Sequence, residues 1–110
     1  MTNADIARLF AGLPGADLVA DGLADLVSGR ETVAGELVKI GSPGLRDCGV
    51  EVPVKDEDAL EADRRLYRLL GAIHGNAAHS QYDALIRQLV RFERALEQRR
   101  SRARRMVVSG

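Results

Sequence analysis

The chain of 110 residues has one cysteine, no tryptophan, two tyrosines, two phenylalanines and three prolines. Each scarcity narrows the field. A lone thiol, Cys48, cannot form an internal disulfide, which points to a reducing, cytoplasmic setting. With so few aromatics, a core must be built from Leu, Val, Ile and Ala, which suits closely packed helices. No apolar run approaches the ~20 residues that cross a bilayer, so no membrane partner is expected. The opening MTNADIARLF has an early Asp and no apolar central region, so it is not expected to be a secretory signal.

An excess of charge of one sign is also missing. The 16 basic residues balance the 16 acidic ones. The two signs are nevertheless segregated: residues 1–63 carry 13 acidic and 5 basic residues, and residues 64–110 carry 3 acidic and 11 basic. Such asymmetry fits a tail that binds nucleic acid, or two halves that face each other within one subunit or between two. Fourteen of the basic residues are Arg, which grips carboxylate or phosphate with two parallel hydrogen bonds.

What is present is helical period, with 45% of the residues hydrophobic. Ile6, Leu9, Phe10 and Leu13 form one face of a short helix, capped by Thr2 or Asn3 and ended at Pro14-Gly15. Val19, Leu23, Leu26 and Val27 define a second helix that stops at Gly29, with Asp17, Asp21 and Asp25 as an acidic stripe on another face. Val33, Leu37 and Ile40 define a third, ending at Gly41. Ser42-Pro43 reads as a cap followed by Pro at the first helical position, starting a short turn over residues 43–47.

GVEVPVKDED alternates like a strand, but Pro53 and the lack of a pairing strand make it an extended linker. Ala59, Ala62, Leu66, Leu69 and Ile73 are then spaced 3, 4, 3, 4. Asp56 or Asp58 is the expected cap, and Glu61 with Arg65 the expected i,i+4 pair. Ala78, Tyr82, Leu85, Leu89, Phe92 and Leu96 continue the same rhythm after Gly75-Asn76. The predicted fold is all-α, a small bundle of about five helices in a single domain. Short N-terminal helices occupy 1–49, the linker 50–56, an antiparallel helical hairpin 57–100 and a basic, frayed tail 101–110.

Little in the chain reads as catalysis. His74 closes one helix, Asn76 starts the next, and His79, Asp83 and Arg87 lie one turn apart. A His79–Asp83–Arg87 line could orient an imidazole for acid–base work, or simply form a polar rim on a packed helix. Two histidines five positions apart across a helix break, with one nearby carboxylate, do not supply a metal site, and no cofactor motif is present. Cys48 beside Asp47 and Gly49 reads as a small buried hydrophobe.

Arg68 and His74 have five residues between them. This resembles the motif of the HEPN ribonucleases, small all-α dimers with an Arg and a His four to six residues apart. The resemblance covers only those two residues and the helical class, and Leu69 stands where that family often has a polar residue. It implies that Arg68 and His74 of two subunits surround a scissile phosphate.

The densest charge lies at Arg99, Arg100, Arg102, Arg104 and Arg105, preceded by Arg87, Arg91 and Arg94. These residues fit contacts to phosphates, a solvated helix end, or docking on the Asp17–Asp21–Asp25 stripe of the same or a neighbouring chain. Tyr82, Leu85, Ile86, Leu89, Val90, Phe92 and Leu96 make an apolar surface wider than one partner helix needs, a candidate interaction face. The functional expectation is a non-enzymatic helical protein–protein interaction module, a small adaptor or regulator that is dimeric. The alternative is a nucleic-acid-associated protein, binding through the Arg-rich helix or acting as a HEPN-like RNase.

Overall fold

The computed structural model describes residues 3–109, and the side chains of Ile6, of 8–55 and of 57–103. The fold is all-α. Seven α-helices and one 3-10 turn follow in order among the described residues: α1 (Asn3–Phe10), α2 (Ala16–Val27), α3 (Val33–Ile40), α4 (Ser42–Asp47), α5 (Asp56–Leu60), α6 (Ala62–His74), the 3-10 turn Gly75–Ala77, and α7 (Ala78–Ser109). No helix among them is long and apolar enough to cross a membrane. The expected cap of α1 lies outside the described side chains.

The element at the centre is α3, which touches α2, α4, α5, α6 and α7. Thr32 starts it. The Thr32 hydroxyl accepts from the Gly35 amide at 3.0 Å and donates to Asp25 at 2.7 Å, and Arg30 pairs with the other oxygen of Asp25 at 3.3 Å. One carboxylate of the acidic stripe is thus used to tie α2 to α3. The two helices meet almost backbone to backbone. A Cβ on Gly22 would lie 2.4 Å from the Ala34 carbonyl oxygen and 2.4 Å from Val38 Cγ2. Val19 and Leu23 of α2, Leu37 and Val38 of α3, Leu45 of α4, Leu66 and Leu70 of α6, and Leu89, Phe92 and Leu96 of α7 close over one core. Phe10 of α1 joins it edge-on to Phe92, with ring centroids 4.7 Å apart.

Glu36 sits inside this core at 1% exposure. A buried carboxylate must be paired, and it has two cations: Lys39 at 3.0 Å on its own helix and Arg65 of α6 at 2.9 Å. Arg65 also donates to the Asp58 carbonyl oxygen. That explains a departure from the expected single helix over 57–74. The Asp58 carbonyl would accept from residue 62 in a continuous helix, but it faces the Arg65 guanidinium. The chain bends at Glu61 and makes two helices, α5 and α6. Arg65 therefore serves Glu36 rather than the expected Glu61. The start of α5 is at Asp56 after Lys55, so neither Asp56 nor Asp58 is its cap.

The stretch 50–55 is extended, as its alternation implies, but it is more than a linker. Val50 and Val52 are buried while Glu51 and Pro53 face out, and Arg46 grips the strap through the carbonyls of Val52 (3.2 Å) and Val54 (2.6 Å). Gly41, rather than Ser42, caps α4, and the Ser42 hydroxyl is buried with no hydrogen-bond partner. Asn76 lies within the 3-10 turn instead of capping α7. The tail expected to fray from 101 onward is instead part of α7, which is helical through Ser109. No Gly or Pro interrupts its 32 residues, which at ~1.5 Å each run most of the molecule's 53 Å length.

Two outcomes test this frame. Gly22→Ala, which would favour an exposed helix by about 1 kcal/mol, should instead destabilise by about 2–3 kcal/mol in urea unfolding, because backbone must move to admit the methyl. Arg65→Met should cost about 3 kcal/mol by leaving Glu36 short of a cation.

Candidate functional site

The corner between α6 and α7 gathers the polar side chains singled out above. His79 Nε2 lies 3.4 Å from Asp83 Oδ2. The other His79 ring nitrogen, Nδ1, is in hydrogen-bonding contact with the Tyr67 hydroxyl. Tyr67 comes from α6, and its ring lies against Tyr82 with centroids 5.0 Å apart. Arg87 does not complete the expected line through its carboxylate; its Nε donates to the Asp83 backbone carbonyl at 3.3 Å. The His79 and Asp83 side chains are 75% and 51% exposed, so water competes for every contact and the pair contributes little. Arg68 and His74 are exposed on α6. Six positions on one helix set them roughly 120° apart around its axis.

The candidate interaction face of α7 is largely consumed inside the chain. Leu89, Phe92 and Leu96 are buried in its own core, Tyr82, Leu85 and Ile86 pack against that core in part, and Val90 is at the surface. The helix is wide in apolar residues because α1, α3, α4 and α6 all lean on it.

The Arg series divides. Arg99 donates to the Leu9 carbonyl at 2.9 Å and Arg100 to the Asp47 carbonyl at 3.1 Å. They anchor α7 to the end of α1 and to α4. Gly49, at φ 86°, leaves room for the Arg100 guanidinium, whose carbon would stand 3.1 Å from a Cβ there. Arg87, Arg91, Arg94 and Arg102 are exposed. The side chains of Arg104 and Arg105 lie outside the described residues.

A feature no local motif announced is a groove of about 800 Å³ between α1, α2 and the strap. Ile6, Phe10, Leu23, Val27 and Val52 supply apolar lining, and Asp17, Asp21 and Glu51 supply carboxylates. Val27, 77% exposed, stands at its edge. Three separate segments build it, and only Asp17 and Asp21 had a visible pattern, as part of the acidic stripe. A smaller, charged cleft lies over Glu36, Lys39 and Arg65, whose charges already satisfy one another.

A third cluster lies under α4. The Glu93 carboxylate fills the space that the missing side chains of Gly41 and Gly44 leave open, and burial raises its pKa. The buried Cys48 thiol faces the Glu93 carbonyl at 3.9 Å and Glu97 Oε2 at 3.8 Å. Burial, then the charges of Glu97 and Glu93, push the thiol pKa up against the opposing pull of Arg100. Cys48 is thus a protonated thiol rather than a nucleophile. Among the described residues no group of three or more His, Cys, Asp or Glu is placed to hold a metal ion.

No family model, no curated protein and no solved structure matches the chain.

The raised pKa of Glu93 gives a pH signature. Its folded value lies above the unfolded one, so the native state holds a proton that the unfolded state has already lost. The stability this provides is complete at acid pH and is lost as pH rises through the folded value. Glu93→Gln should flatten this part of the urea-stability profile and raise stability at neutral pH.

Proposed function

We propose that the protein is a helical protein–protein interaction module, a small adaptor or regulator, and that its binding face is the acid-lined groove between α1, α2 and the strap. The groove itself carries this reading. It combines apolar lining from Phe10, Leu23 and Val52 with carboxylates from Asp17, Asp21 and Glu51. Burial of apolar side chains supplies affinity, and fixed charge selects the sign of the partner. The fitting ligand is a segment with an apolar face and basic flanks, seated as a helix in a groove.

A second reading has one observation in its favour. Arg87, Arg91, Arg94 and Arg102 are exposed, and their spacing places them along one side of α7, a stripe that matches a polyanion without reading sequence. Against it, Arg99 and Arg100 are engaged with carbonyls, and the acidic α2 face repels the same ligand. The HEPN-like arrangement of Arg68 and His74 belongs with this second reading.

The chain has no tryptophan, so a Val27→Trp variant reports on the groove alone. Titration with a Leu/Lys amphipathic peptide should shift its emission, and the matched Leu/Glu peptide should not. Asp17→Lys with Asp21→Lys should reverse that preference. No response to either peptide, together with salt-sensitive RNA binding that Arg87→Ala, Arg91→Ala and Arg94→Ala abolish, would transfer the function to α7.

A further inference from the structure

We infer that the segment seated in the groove is the distal end of α7 from a second copy of this chain; this rests on the groove being the binding face. Three observations converge. First, among the described residues the last core residue of α7 is Leu96 and its last hydrogen bond to another helix is Arg100 to Asp47, yet the helix continues to Ser109. About two turns of helix follow Arg100. Second, the sequence of those turns, SRARRMVVS, pairs three Arg with an apolar Met-Val-Val run. The groove is its complement in both respects, with carboxylates from Asp17 and Asp21 and apolar lining from Leu23, Val27 and Val52. Third, α7 has no Gly or Pro in its length, so its distal end cannot fold back into its own groove without breaking the helix. The occupant must come from another molecule.

The segregation of charge follows from this arrangement. A chain of net charge zero that carries its acids in the first half and its bases in the second attracts copies of itself head to tail. If two chains exchange ends reciprocally, the assembly closes as a dimer. If they do not, it grows. Either way, each groove contact uses two different surfaces, one from each copy.

Light scattering on the full chain across a concentration series is the test. Self-association is expected, weakened roughly ten-fold or more by raising salt well above physiological strength, where exposed charges are screened. Removal of residues 101–110, which spares Arg99 and Arg100, should give a monomer with an unchanged helical spectrum. Asp17→Arg with Asp21→Arg should do the same. The decisive step mixes these two monomeric proteins. One keeps the groove and the other keeps the distal end of α7, so together they should form a one-to-one complex. A full chain that is monomeric at every concentration overturns the inference, as does a truncated chain that associates as before. If the Val27→Trp groove still answers the Leu/Lys peptide in either case, the groove reading survives and only the identity of its occupant falls. If it does not, both fall. A 260 nm excess that co-migrates with the full chain and is lost at high salt, with no self-association once it is removed, also overturns it and assigns the distal end of α7 to nucleic acid.

Discussion

The carboxylate of Glu36 is the constraint around which the rest is arranged. An ionised group inside an apolar core is tolerated only when oppositely charged donors reach it. Lys39 is the local donor. The other, Arg65, comes from 29 positions away, and bringing it in fixes α6 against α3. Because the same guanidinium also takes the Asp58 carbonyl, the helix before α6 breaks, and α5 turns along α3. The strap then has to run from α4 to α5 over the open side of the core. Arg46 holds it there by two carbonyls, and Val50 and Val52 seal it down. The groove exists because the strap stops beside α1 and α2 rather than covering them.

Glycine sets the second level of the arrangement. At Gly22 the absence of a side chain lets α2 lie on α3 at backbone distance. At Gly41 and Gly44 the same absence makes room for Glu93 of α7. These close approaches bring four short helices onto one long one within a small volume. They also explain why α7 needs apolar residues on more than one side, and why those residues do not by themselves signal an external partner.

The helices were mostly legible in the chain. Spacing of Val19, Leu23 and Leu26 is a local property, and so are the stops at Gly29 and Gly75, but the buried face of α6 runs through Ala62, Leu66 and Leu70, while Ile73 of the expected seam is 64% exposed. What was not legible is everything made between distant segments. Glu36 reads as an ordinary helical acid until Arg65 is placed beside it. Arg99 and Arg100 read as a solvated basic run, yet their acceptors are carbonyls 90 and 53 positions away. The break at Glu61 depends on a side chain four residues later that responds to a helix much earlier in the chain. Of the corner, the His79–Asp83 contact followed from i,i+4 geometry, but Tyr67, on the preceding helix, had no such signal. The groove combines three stretches with no shared motif, so of its acids only Asp17 and Asp21, in the α2 stripe, were marked beforehand.

The pairing of Tyr67 with Tyr82 has an optical consequence. The chain has no tryptophan, so these two phenols dominate its near-ultraviolet absorption and emission. Both sit at the same end of the molecule, one on each side of the α6–α7 turn, with rings 5.0 Å apart and inclined at 36°. Two chromophores held that close in a fixed skew orientation couple, and their exciton ellipticity senses the angle between α6 and α7. The unmodified protein therefore carries a built-in goniometer for that corner, while its groove, lined by no strong chromophore, is spectroscopically dark.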